Sequence, residues 1–510
     1  MHDFLQLQQP RADSLYALVD VREHGEYNAS HIAGSSSLPR RLLEFRFPRL
    51  VPCTQVQVVL IDDDGRRATL AAETVCRMGY SNVEVLEGGI NRWVTQDFAT
   101  EWGMNVPSKA FGERIEVQHQ VRTIQARELD QRTRNGQKVL IVDSRTPEEY
   151  REFSIPGGRS VPGGELAYRV GQLVREEQPD LVVVNCAGRT RSIIGARILQ
   201  RMGLANVVSL KNGTAGWTLA GLELERGAER VTLPEPDPVA LAEAEAFAAR
   251  LCTEDGVRRL TVDELRYLVD SGDCVYRVDV RTEAEFAAGH VPGFSWFPGG
   301  QAVQRADDLV AVRAAHVVFC CDGFVRAGVT ASWFRQMGFP SVSILDGGTT
   351  AWVAHGLELA TGKERVEPFG LAAAVSGSMA VSPSEVHGQA VVFVGTSREF
   401  ANGHIPGAHW LSRSWLELRI GTLQPDFTKP VVTTDVDGQS AALAAQALAR
   451  MGYTDVAYLD GGMRAWTGPV EQGLSGVMHP PDDVVPSGLE RSAAEAIEYL
   501  RWETDLVEHA

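Results

Sequence analysis

Short runs apolar on both faces alternate with alanine-rich amphipathic stretches along the whole chain. The runs Gln57-Val58-Val59-Leu60, Leu181-Val182-Val183-Val184, His316-Val317-Val318-Phe319 and Pro430-Val431-Val432-Thr433 have the length and branching of buried parallel strands. Helical stretches follow them, such as Ala68-Thr69-Leu70-Ala71-Ala72-Glu73 and Ser440-Ala441-Ala442-Leu443-Ala444-Ala445. A further strand, Val207-Val208-Ser209-Leu210 in one instance, leads to a glycine turn. Strands alternating with helices predict an α/β fold, each unit a central parallel β-sheet covered by helices on both faces.

The pattern repeats four times in one register. Each buried run ends at a loop residue: Asp62, Cys186, Cys321 or Asp435. A turn glycine stands 27 residues further on, at Gly89, Gly213, Gly348 and Gly462, with Trp93, Trp217, Trp352 and Trp466 four residues beyond. Four copies of one module follow from that spacing. The predicted modules span 1–107, 118–230, 257–368 and 376–474, with a linker and helix over 231–256 and a tail with a helix over 475–510. Each extra segment lies after two modules, so a pair of modules with a helical strap reads as the repeated unit. A plain linker and a frayed tail are the alternative.

The 510 residues suit four domains of about 110 residues. A net charge of −17 argues against nucleic acid as a partner, and any anion site must be locally basic. No run of 18 or more apolar residues occurs, and the start Met1-His2-Asp3-Phe4 lacks a basic, apolar leader. No membrane association is expected. Seven cysteines, at 53, 76, 186, 252, 274, 320 and 321, form neither a zinc spacing nor a disulfide framework. A reducing cytoplasm is the expected location. No metal, organic cofactor or dinucleotide motif is seen.

The chemistry concentrates at the loop. Copy two reads Cys186-Ala187-Gly188-Arg189-Thr190-Arg191-Ser192. A six-position loop entering a helix turns backbone N–H groups inward as an anion cradle. With Arg189 and Arg191 beside it, the cysteine is expected to have a lowered pKa and to act as a nucleophile. Copy three retains Cys321, Gly323 and Arg326, but Asp322 adds negative charge and Phe324 replaces an arginine. That pattern disfavours a small dianion and leaves open a larger, less charged donor. Cys320 reads as a core residue, or alternatively as a resolving thiol. Asp62 would fill its own cradle with a carboxylate, and copy four has neither cysteine nor arginine, so both copies are expected to be silent.

These loops follow an Asp-x-Arg strand end (Val19-Asp20-Val21-Arg22, Val142-Asp143-Ser144-Arg145, Val278-Asp279-Val280-Arg281) and an Ile-Pro-Gly type loop such as Ile155-Pro156-Gly157. Together with the Gly–Trp turn, they resemble the rhodanese (thiosulfate sulfurtransferase) family in four tandem copies. The resemblance implies that a cysteine thiolate takes sulfane sulfur from a small anionic donor such as thiosulfate. Sulfite leaves, and the persulfide passes its sulfur to cyanide or a thiol. By position Cys186 is the carrier and Cys321 a possible second. Ala187, Gly188, Arg189, Thr190, Arg191, Ser192, Gly323 and Arg326 are expected to bind substrate. Asp143, Arg145, Asp279 and Arg281 read as supporting ion pairs. Related phosphatases use a loop one residue longer. Glutathione persulfide or mercaptopyruvate as donor, and a non-catalytic anion- or protein-binding scaffold, remain the alternatives. The oligomeric state is not legible.

Overall fold

The computed structural model describes residues 15–364, 366–486, 488 and 490–509. Each repeat is a parallel sheet with helices on its faces. In the second repeat the strand order is Thr123–Ile124, Val207–Leu210, Leu181–Asn185, Val139–Asp143, Arg159–Ser160. All four pairings are parallel, with Val142 opposite Val184 and Val183 opposite Val208. The third and fourth repeats have the same five-strand order, and the first has four strands among the described residues. The central strand Leu181–Asn185 is buried along its length because helices cover both faces. Its C-terminal end is therefore the inner mouth of the sheet, where ligands of such folds bind. Cys186 is the next residue.

The 27-residue spacing has a physical cause. Gly213 starts the helix Gly213–Leu219 with φ +52°, in the left-handed region. A Cβ there would lie far inside contact distance of the Cys186 carbonyl oxygen, and Gly89, Gly348 and Gly462 stand in the same relation to Asp62, Cys321 and Asp435. Thr214 N–H and Ala215 N–H donate to the Cys186 and Ala187 carbonyls at 2.9 and 3.0 Å. The turn is thus the clamp that fixes the loop. Trp217, four residues on, is buried and donates its indole N–H to Glu223 O at 2.9 Å.

The described chain forms two compact units, 1–104 with 365–485 and 105–364 with 486–510. Module one packs with module four, and module two with module three. The packed pairs therefore differ from the one–two and three–four units that the repeated strap marked out, since two and three are neighbours along the chain and one and four are not. One interface position explains the pairing. Arg40, Gly163, Gly299 and Arg413 are equivalent, since each N–H donates to the same strand-end carbonyl: Val21, Ser144, Val280 and Val394. In the one–four unit Arg40 bonds Glu417, at 2.7 Å for Nη1, and Arg413 pairs reciprocally with Glu44. In the two–three unit glycines meet instead, and a Cβ on Gly164 would lie 2.9 Å from Gly300 N.

Both extra helices lie in the two–three unit. Pro238–Glu254 is capped by Asp237, whose carboxylate accepts Val239 and Ala240 N–H at 2.9 and 2.8 Å. It buries Ala244, Phe247, Ala248 and Leu251. The tail helix spans Ala493–Asp505, capped by Ser492 in a box with Glu495. It starts later than the sequence reading from Leu489, a position outside the described residues. The plain-linker, frayed-tail alternative fails for both.

Candidate active site

Cys186 is 2% exposed at the head of the loop. Its thiol donates to Ser192 Oγ at 3.3 Å, and that hydroxyl donates to Arg189 O at 2.8 Å while accepting from Ser209 at 3.0 Å. Backbone N–H groups of Ser192 and Gly188 face the sulfur. Thr190 is buried and opens the helix Thr190–Arg201. Gly112 of the helix Val106–His119 packs against it, at 3.0 Å from a Cβ built there to Thr190 Cγ2. Ala187 borders a cavity described below.

The two repeats with aspartate at the loop show what the cradle holds. Asp62 Oδ1 accepts Gly65 N–H at 2.5 Å and its Oδ2 accepts Ala68 N–H at 3.0 Å. Asp435 accepts Gly438 and Ser440 N–H at 2.6 and 2.9 Å. A carboxylate fills each cradle, as the aspartates implied. Burial holds both above the usual range, Asp435 up to about 6.

The expected lowering of the Cys186 pKa is overturned. Burial pushes the thiol above its ordinary value, outweighing Arg191 and the hydrogen bonds from Ser192 and the loop backbone. Both arginine charges are already engaged. Arg191 Nη1 and Nη2 meet Glu149 at 2.7 and 2.9 Å, which holds Glu149 down to about 2 against the opposing effect of burial. Arg189 Nε and Nη2 bond Glu113 at 2.7 Å each, with Asn212 at 3.1 Å and Glu116 beside them. Arg189 thus braces the loop from outside.

Asp143 and Arg145 form the buried pair anticipated. Arg145 Nη2 reaches Asp143 at 2.8 Å and Phe153 O at 2.6 Å, and Asn185 Nδ2 donates to Asp143 at 2.8 Å. The pair therefore anchors the residue before Cys186. Asp279 and Arg281 repeat it at 2.6 Å. Cys320 occupies the Asn185 position, fully buried, with its thiol 3.3 Å from Cys321 O. That geometry is a core residue's.

Around Cys321 the charge is reversed. Arg326 is shared by Glu165 at 3.0 Å, Glu285 at 2.8 Å and Asp322 at 2.9 Å. Gly323 N–H, beside the Cys321 sulfur, also donates to Asp322 at 3.0 Å. Burial, then Asp322, pushes Cys321 up to about 12.

Sequence reasoning did not single out Glu149, Glu113, Asn212 or the tail. Glu149 had a signal, because Thr146, Thr282 and Thr396 each form a capping box with a glutamate three residues on, and Glu26 stands at the same place. The tail had none. It brings the buried Glu503 beside Gly188, where a Cβ would lie 3.4 Å from its carboxylate, and brings Arg491, two residues before the helix, to the cavity. That cavity, about 370 Å³, is lined by Ala187, Phe153, Thr214, Thr218, Leu219 and Arg491 among others. Among the described residues no cluster of three or more His, Cys, Asp or Glu side chains is set to hold a metal, and no helix is long and apolar enough to cross a membrane.

A backbone cradle at the end of the central strand, repeated on four sheets and holding a buried cysteine in two of them, defines a rhodanese-like protein. The rhodanese-like domain model matches residues 3–96, 125–220, 261–355 and 387–469, and the chain belongs to that family. A thiosulfate sulfurtransferase from Pseudomonas aeruginosa superposes with a TM-score of 0.90 at 34% identity, over 99% of this chain and 95% of that one. The thiosulfate sulfurtransferase GlpE of Shewanella oneidensis is 37% identical over 92 residues, 18% of this chain and 89% of that protein. A 41 kDa centrosomal protein of Xenopus tropicalis is 29% identical over 99 residues, 18% of this chain, and the chain spans only 27% of its length.

Proposed function

We propose that the chain is a sulfurtransferase whose carrier is Cys186, taking sulfane sulfur from thiosulfate or a related donor. One observation carries this reading. The N–H cradle that a carboxylate fills at Asp62 and Asp435 holds a thiol at Cys186. Its backbone donors stabilise a thiolate or an oxyanion leaving group in the same space. The Cys186 thiolate attacks the outer sulfur of thiosulfate, the sulfur–sulfur bond breaks, and sulfite leaves with the electron pair. A cyanide or thiol acceptor then takes the sulfane sulfur, returning the thiol. The names of the Pseudomonas and Shewanella relatives support thiosulfate as donor.

Cys321 is a poorer carrier for an anion, because Arg326 already faces three carboxylates. Modules one and four act as packing partners. Cys186 is a free thiol, as the carrier must be, whereas Cys53 and Cys274 are disulfide-bonded, against the expectation that no cysteine is, so the cysteines do not support the expected reducing cytoplasm.

The test is intact mass after thiosulfate treatment and removal of excess donor. Wild type and Cys321→Ser should each gain one sulfur, and Cys186→Ser none. No gain with thiosulfate, glutathione persulfide or mercaptopyruvate would overturn the reading in favour of a binding scaffold.

A further inference from the structure

The arginines of the catalytic loop have no charge to spare, since Arg189 and Arg191 are each held by glutamates. One cation at the site differs. Arg491, half-buried on the tail segment outside the repeats, is within ion-pair or hydrogen-bond distance of no partner among the described residues, although its charge also acts on Glu495 and Glu503. Its guanidinium lies 3.9 Å over the Tyr499 ring. Stacking fixes the guanidinium plane and leaves its N–H edge available, the geometry that takes a carboxylate.

Arg491 lines the 370 Å³ cavity that opens at Ala187, the residue after Cys186. The rest of its lining includes Phe153, Thr214, Thr218 and Leu219, together with Glu149, which Arg191 neutralises, and the exposed Glu152. Pockets of about 300–1,000 Å³ with apolar walls and few polar groups hold organic ligands. A five-atom inorganic dianion would leave most of this space unfilled, against walls that do not solvate it.

We propose that the tail segment completes a binding site for a small organic thiol bearing a carboxylate, the acceptor of sulfur from Cys186. This rests on the sulfurtransferase reading. The carboxylate sits on Arg491, the carbon body lies on the apolar wall, and the thiol faces the persulfide. The acceptor sulfur bonds to the sulfane sulfur, and the bond from that sulfur to Cys186 Sγ breaks with its electron pair left on Sγ. The acceptor's proton ends on the Cys186 thiol, so a persulfide and a thiol become a thiol and a persulfide with no oxidant or reductant.

The test loads Cys186 with thiosulfate, removes the donor and mixes the loaded protein with 3-mercaptopropionate, 3-mercaptopropan-1-ol or cyanide. In the wild type the half-saturating concentration should be about tenfold lower for the carboxylate than for the alcohol. Arg491→Gln should erase that difference and Arg491→Lys restore part of it, with sulfur loading and cyanide turnover unchanged. Equal values for the two thiols in the wild type, or a loss in Arg491→Gln that extends to the alcohol and cyanide, would overturn the proposal. Calorimetric titration of unloaded protein with 3-mercaptopropionate reads the site independently: binding in the wild type and none in Arg491→Gln is expected. Should Cys186 fail to load at all, the sulfurtransferase reading falls, and the titration still decides whether the carboxylate site exists.

Discussion

At the residue scale the site is governed by how Glu149 spends its charge. The carboxylate closes the helix cap at Thr146, accepting its N–H at 3.1 Å, and neutralises Arg191. Glutamine retains the capping acceptor and gives up the ion pair. In Glu149→Gln the Arg191 charge then acts on Cys186 alone, and an uncompensated opposite charge moves a pKa by roughly 1–3 units. Because burial raises the folded Cys186 pKa, the thiol dominates at neutral pH and its reactivity rises as pH increases. The rate of Cys186 alkylation by iodoacetamide, followed against pH in a Cys321→Ser background, should climb at lower pH in Glu149→Gln than in its parent. An unmoved profile would remove Arg191 from control of the thiol.

The candidate cysteine was legible in the sequence at this scale, because Cys186 stands between a buried strand and a basic loop. The ionisation of that cysteine was not. Two arginines in a string of residues promise a thiolate, but the promise fails once Glu113, Glu116 and Glu149, which lie 42 to 76 residues away, fold onto them.

At the scale of elements, the glycine turn and the module interface each hang on a missing side chain. Gly213→Ala would drive a methyl into the Cys186 carbonyl and force a left-handed backbone, a strain of about 1–3 kcal/mol. Lower thermal stability and a loss of sulfur loading on Cys186 are expected together. Loading at the wild-type level would mean that the turn does not set the loop. For the interface, Arg40→Glu leaves Glu417 buried beside a like charge, and breaking such a pair costs about 3–5 kcal/mol. The double variant Arg40→Glu with Glu417→Arg should recover more than half of the lost denaturation midpoint. No recovery would mean that the pair does not select its partner module.

The elements themselves were legible. The valine runs, the turn glycines and the linker helix all fall where their periodicity and spacing put them. The start of the tail helix was misjudged because its cap, Ser492 with Glu495, was not recognised. Module pairing was not legible because modules one and four, at opposite ends of the array, pack together although neighbours in sequence are ordinarily neighbours in space, and the Arg40–Arg413 against Gly163–Gly299 contrast has meaning only once equivalent positions face each other.

At the scale of the two–three unit, the tail helix buries charge beside the catalytic loop. Lys109 lies 5.1 and 5.0 Å from the Tyr499 and Trp502 rings, and burial lowers its pKa to about 8 despite Glu503 nearby. Its folded pKa lies below the unfolded 10.5. Between those values the unfolded chain binds the extra proton, so stability rises with pH from about 8 towards 10.5. The denaturation midpoint should therefore increase between pH 8 and 10 in the wild type, and less so in Lys109→Met. Identical increments in both would show that Lys109 is not buried as described.

The sequence by itself determined the four-fold repeat, the α/β class, the family and the candidate cysteine loops, because each depends on local spacing: strand length, a turn that tolerates only glycine, a thiol in a short loop. Tertiary structure alone decided which modules pair, where the arginine charges go, and that the tail, some 300 residues beyond Cys186, brings Arg491, Ala493 and Ala496 to the cavity beside its loop. Charge balance and cavity shape are sums over residues distant in the chain, and no local pattern carries them.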